Sequence, residues 1–283
     1  MNNDAASSAS RPGAASSLSS ASRSAAAWSL MPAPRYAARV LTRNARLFAK
    51  HMRGTLLPQF LDPLFYLVAL GFGLGTYIAH INGVSYKEFI APGLIASAAM
   101  WAASFECTYN VYFRINETRL YDAVLSTPIE VPDVVAGDLA WSSVRAAIYG
   151  SVFLVVVTAF GLIHSWWAVA IPPLLLIGGL CFSVVAYTFT ALIPRIDLYN
   201  YFFTLGITPM FLFSGIFFPF NQLPDWVSVV AWFMPLYHLV EITRGLATGP
   251  ELWSIVGNAA WLAAVSALLF TVPVRALRKK LVA

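Results

Sequence analysis

The chain is divided into blocks of about 20 apolar residues separated by short polar breaks, and this spacing leaves few folds open to it. About 20 residues is the length at which a helix, rising about 1.5 Å per residue, crosses the roughly 30 Å hydrocarbon core of a bilayer. A helix satisfies its own backbone hydrogen bonds, so apolar blocks of this length that enter lipid must be helical. Composition agrees: 59% of the 283 residues are hydrophobic and 11% charged, more apolar than one soluble core requires. The sequence predicts an all-α integral membrane protein.

Six spans are expected, near Leu56–Ile78, Phe89–Val111, Val135–Ile163, Trp166–Ile193, Leu198–Phe220 and Leu252–Val274. Of the 18 Lys and Arg, fifteen fall on one side of this topology, two (Lys87 and Arg244) on the other, and Arg145 inside a span. The positive-inside bias puts both termini in the cytoplasm. The same placement of charge beside apolar blocks speaks against a nucleic-acid partner, despite the formal net charge of +5.

Residues 1–34 are rich in Ala and Ser and read as a disordered cytoplasmic tail; a transit peptide shares the bias, but no cleavage pattern supports it. From Arg35 to Arg53 the basic residues Arg35, Arg39, Arg43, Arg46, Lys50 and Arg53 recur every three or four positions, with Ala37, Leu41, Ala45, Phe48 and Met52 on another stripe. This is the pattern of an amphipathic interfacial helix facing anionic inner-leaflet lipid. Before the last span, Pro224 and Pro235 bound apolar segments too short to cross, which fits two outer re-entrant helices; an ordinary outer loop is the competing reading.

The chain has no phosphate-binding loop, HExxH or GxSxG, so any ATP and Mg belong to another chain and this one binds no cofactor. His51, His80, His164 and His238 share no ligand spacing, and Cys107 and Cys181 read as small buried hydrophobes. Charges within spans are costly and mark function or pairing: Asp62, Glu106 and Arg145 are such residues, and Glu241 and Arg244 share a helical face. Tyr109, Tyr112, Tyr199, Tyr201 and Phe202, with Glu106, are candidates for a translocation path lined by stacking rings, against the plainer reading of an interfacial aromatic belt. The inner connection after span two carries Leu120, Val124 and Leu125 on one side and Arg114, Glu117, Arg119 and Asp122 elsewhere, up to Pro128. It reads either as a short amphipathic helix for a partner's groove or as a solvated turn.

Two stretches carry a family resemblance. SFECTYNVYFRINETRLYDAVLSTPIEVPDVVAGDLAWSSVRAA resembles the second span, coupling helix and third span of ABC type-2 export permeases. ITPMFLFSGIFFPFNQLPDWVSVVAWFMPLYHLVEITRGLATG is similar to their fifth span and outer re-entrant element, with SGxFFPxxQLP and PLxH matching the NodJ branch. The resemblance implies that residues 35–283 form one ABC type-2 transmembrane domain in the bacterial inner membrane. It implies pairing with a second copy and with two NodI-like ATP-binding subunits, to export a lipo-oligosaccharide or related glycan or glycolipid, with a polysaccharide or a hydrophobic drug as the alternative cargo. It also implies a coupling helix over Arg114–Thr127, with Thr118, Tyr121 and Leu125 joining the charged residues named above. The re-entrant element it implies carries Pro219, Leu223, Pro224, Trp226, Pro235, His238, Glu241 and Arg244. A membrane-embedded acyl- or glycosyltransferase is the rival class, and would need acid, base or nucleophile groups converging at one depth. A secondary transporter would show internal repeats with broken midplane helices, which the sequence lacks.

Overall fold

The computed structural model describes residues 32–282 apart from 79, 82, 119, 221–223 and 250, and leaves undescribed the side chains of 51–60, 122 and 281–282. The expected tail lies outside the described residues up to Met31. What is described is a helical bundle. Helix α1 spans Pro34–Tyr66 and passes into a π-helical segment, Leu67–Gly73, and a 3-10 turn, Leu74–Thr76. A two-stranded antiparallel hairpin, β1 His80–Ile81 and β2 Val84–Ser85, leads into α2, Tyr86–Phe105. There the Ser85 N–H donates to the Glu88 carboxylate at 3.0 Å and fixes the helix start. The α2 axis continues through π-helical segments Glu106–Asn110 and Phe113–Glu117. Then come α3 Leu120–Leu125, α4 Val131–Ala159, α5 Ile171–Leu192, and a broken helical stretch containing the π segment Phe202–Ile207 and α6 Thr208–Phe213. The chain ends with α7 Asp225–Trp232, α8 Pro235–Thr248, α9 Leu252–Leu269 and α10 Thr271–Val282.

Among the described residues, four helical stretches are long and apolar enough to cross a membrane: Tyr86–Glu117, Val131–Ala159, Trp166–Leu192 and Leu252–Lys280. They match the second, third, fourth and sixth expected spans. The first expected span is helical as far as Thr76, and its described apolar part is the shorter Leu61–Thr76. The interfacial helix and the first span, expected as two pieces, share the unbroken backbone ladder of α1. The expected fifth span ends sooner than Phe220, because the chain leaves helix after Phe213 and turns at Ser214–Phe218 with Gly215 at φ +79°. That turn wedges Ile216 against α2 at Gly93, where a Cβ would meet Ile216 at 2.9 Å.

Helix α4 is the centre of the bundle, packed by α1, α2 and α5. Its crossing with α1 depends on Gly137: a Cβ there would lie 2.7 Å from the Ala37 carbonyl oxygen, so only glycine allows the approach. The crossing buries Val40 and Asn44 of α1, with Ala37 and Phe48 half-buried beside them. Ala37, Leu41, Ala45 and Phe48 of the apolar stripe read from sequence are all half-buried, and the fully buried Val40 and Asn44 lie beside that stripe. Arg35, Arg39, Arg46 and Lys50 stay exposed as expected.

Candidate functional site

The buried side chains that chemistry would least expect in an apolar bundle meet at one place. Glu106 opens the first π segment of the α2 axis and is 2% exposed. One carboxylate oxygen accepts from Arg145 of α4 and from Asn110 Nδ2 at 2.6 Å; the other accepts from Arg114, two turns along the same axis. Arg114 also donates to Asp138 of α4 at 3.1 Å. Asp138, 1% exposed, accepts in addition from Asn44 of α1 at 2.6 Å and from the Tyr121 hydroxyl of α3, which lies 3.1 Å from the Tyr187 hydroxyl of α5. Five segments distant in sequence thus share one polar joint.

Its electrostatics explain why it is tolerated. Glu106 and Asp138 oppose Arg114 and Arg145, so the four charges cancel, and each carboxylate has several donors. Buried charges persist when paired and hydrogen-bonded in this way, and removing one partner leaves the other stranded. Tyr121 contributes as a fixed donor: burial, reinforced by the charge of Asp138, pushes its hydroxyl well above the usual phenol range. Arg43 waits at the margin, its guanidinium 4.0 Å from Asp138 and 3.0 Å from the Asn44 amide oxygen, with its side chain 27% exposed.

Of the residues singled out from sequence, the structure gathers Glu106, Arg114, Tyr121 and Arg145 here. It separates the expected coupling helix into two pieces: Arg114 and Glu117 end the α2 axis, and the chain bends at Thr118 before the six-residue α3. Leu120, Val124 and Leu125 pack inward on a core shared with α4, α5 and α10, so the apolar face is spent within the chain; Glu117 and Thr118 are exposed. Arg119 and the Asp122 side chain lie outside the described residues. Asp138, Asn44 and Tyr187 escaped the sequence reading, although Asp138 sits inside an expected span, where a carboxylate is itself a signal.

Along the same α2 axis, on a stripe one residue out of step with Glu106, Asn110 and Arg114, rings form a ladder. Phe203 stacks on Trp101, Phe105 and Tyr109, with ring centroids 5.6, 4.6 and 5.7 Å apart. Tyr199 meets Tyr109 and Tyr112 edge-on at 5.5 Å each, and Phe189 joins Tyr199 and Phe202. Tyr201 points away and is exposed.

At the other end of the bundle, α7 and α8 form a pair bent by 93°, with Pro224 before α7 and Pro235 opening α8. Trp226 is exposed, Pro219 precedes the pair, and Leu223 lies outside the described residues. His238 is buried between the Trp232 carbonyl at 2.8 Å and the Asn258 amide oxygen of α9 at 2.7 Å, stacked 4.0 Å from Trp261. Arg244 bonds Glu241 at 3.2 Å and the Gly215 carbonyl at 2.7 Å, and lies over the Phe89 ring. Glu106 and His238 belong to separate clusters. Among the described residues no three His, Cys, Asp or Glu group as metal ligands.

Residues 37–247 match the family described as ABC-2 type transporter, a stretch that contains the whole polar joint and all but the last residue of the bent pair. The chain belongs to the ABC-2 type transporter family. The permease is 34% identical over 243 residues to nodulation protein J of Rhizobium leguminosarum bv. viciae, covering 86% of this chain and 93% of that protein. It is 33% identical over 244 residues to nodulation protein J of Rhizobium meliloti (strain 1021), at 86% and 92% coverage. Inner membrane transport permease YadH of Escherichia coli (strain K12) is 26% identical over 200 residues, at 66% and 73% coverage. The NodJ-like resemblance read from the two sequence stretches is borne out, and the permease is a multi-pass transport protein.

Proposed function

We propose that this permease is the membrane-spanning half of an ATP-driven exporter: two copies of this chain above two NodI-like ATP-binding subunits, which bind the ATP and Mg, with a lipo-oligosaccharide or related glycolipid as cargo. The observation that carries this reading is the attachment of α3. Its inner side is held by Tyr121 in the polar joint, while Ala123, Ser126, Thr127 and Pro128 stay exposed beside Asn116, Glu117 and Thr118. A small, mostly polar surface wired to the bundle suits a docking face through which a motor subunit pushes. The Lys and Arg bias supports a cytoplasmic position for this face and for both termini. Six crossings result if α1 with its π segment and the helical stretch ending at α6 each span, with α7 and α8 entering from outside and returning. The exposed Arg35, Arg39, Arg46 and Lys50 then face anionic inner-leaflet headgroups. The ring ladder offers stacking surfaces to sugars or acyl chains on the path between the two copies.

The test is to purify the permease with the ATPase encoded beside it and compare the double variant Ala123→Glu/Thr127→Glu. Both positions are exposed, so folding should survive while co-purification and cargo-stimulated ATP hydrolysis fall several-fold. Native assembly and native export by this variant would remove α3 from the docking face; transport of lipo-oligosaccharide into vesicles by the reconstituted complex tests the cargo.

A further inference from the structure

Two elements compete for one carboxylate. On one oxygen Asp138 already holds Asn44 at 2.6 Å and Arg114 at 3.1 Å, while the guanidinium of Arg43 stands 4.0 Å from that same oxygen, tethered by the Asn44 amide. Arg114 is itself shared with Glu106. A buried carboxylate cannot lose its cation without replacement, and a second cation one side-chain rotation away supplies one. We propose that Asp138 exchanges Arg114 for Arg43 when α3 is displaced, so that α1 is a second element driven by the motor stroke. The inference rests on the reading that α3 receives that stroke.

The linkage is physical at each step. Displacing α3 withdraws Tyr121 from Asp138, and displacing the end of the α2 axis withdraws Arg114 towards Glu106. Arg43 then closes on Asp138, carrying α1 with it. Helix α1 is fastened to the same half of α4 at two other points: the Ala33 N–H donates to Asp133 at 2.6 Å, and Ala37 and Val40 sit against Gly137. It is thereby constrained to pivot about these points. Since the ladder of α1 runs on to Tyr66 and into the π segment after it, a pivot reaches the membrane-crossing part of the chain. Arg43 is a positioning residue, distinct from the docking face and the ring ladder.

The test uses the permease–ATPase complex in lipid nanodiscs, with spin labels at Arg39→Cys on α1 and Arg195→Cys after α5, both exposed and outside the docking face; native Cys107 and Cys181 are buried. A non-hydrolysable ATP analogue should change the label separation in the native background. Arg43→Ala should abolish that change and lower cargo export about tenfold while the ATPase still co-purifies; Arg43→Lys, which keeps a cation, should restore both. Export within twofold of native by Arg43→Ala, with the nucleotide-driven change intact, overturns the exchange alone. If the native permease binds no ATPase, the docking reading falls and the exchange with it.

Discussion

Glu106 and Arg145 are each other's condition for burial, and their substitution should show it. Glu106→Gln leaves two guanidinium groups short of a charge in a site that water does not reach, which is expected to cost about 3–5 kcal/mol. Arg145→Gln should cost a similar amount, and the double variant less than the sum, because the stranded partner disappears with the first. Thermal unfolding in detergent of the two singles and the double measures this, and strict additivity would argue that the pair is not coupled. Asn44→Ala should be milder, about 1–3 kcal/mol, since it removes one hydrogen bond to a charged group. Sequence carried part of this joint. A carboxylate and an arginine within apolar blocks are visible as anomalies, and Glu106 and Arg145 stood out for that reason. Which anomaly meets which depends on helix crossings, and the one that brings Asn44 to Asp138 is set by the missing side chain of Gly137. No periodicity in α1 announces that Val40 sits against a glycine on another helix.

At the scale of elements, α3 shows pattern legible and direction not. Leu120, Val124 and Leu125 form the apolar side that spacing indicates, but an amphipathic helix of six residues gains as much from covering its own bundle as from a partner, and here it does the former. The bent pair was legible because Pro224 precedes α7 and Pro235 marks the break before α8, and proline interrupts helices by removing a donor and clashing with the preceding turn. Its fastening was not, since His238 reaches α9 through Asn258, 20 positions later. Asn258→Leu should leave a buried ring nitrogen unpartnered, costing about 1–3 kcal/mol, and loosen α8 from α9. Proteolysis or cysteine labelling at the exposed Ser228 of α7 should then quicken, and an unchanged rate would show that the stacking on Trp261 suffices.

For the whole molecule, the basic bias predicts that reporters fused at Ala283 and inserted at Gly83 read opposite sides of the membrane; the same side for both would break the six-crossing topology. The bundle itself divides in another way. α4, α5 and α9 are regular α-helices of 29, 22 and 18 residues. Among the described residues, the π segments Leu67–Gly73, Glu106–Asn110 and Phe202–Ile207 fall in the first, second and fifth expected spans, and a fourth, Phe113–Glu117, prolongs the second. Each π turn stores slack, a surplus over the 3.6 residues of an α turn, and absorbing one residue of it would rotate everything beyond by about 100°. The surplus turns lie on one set of helices, and α4, α5 and α9, which carry none among the described residues, keep a fixed α-helical phase beside them.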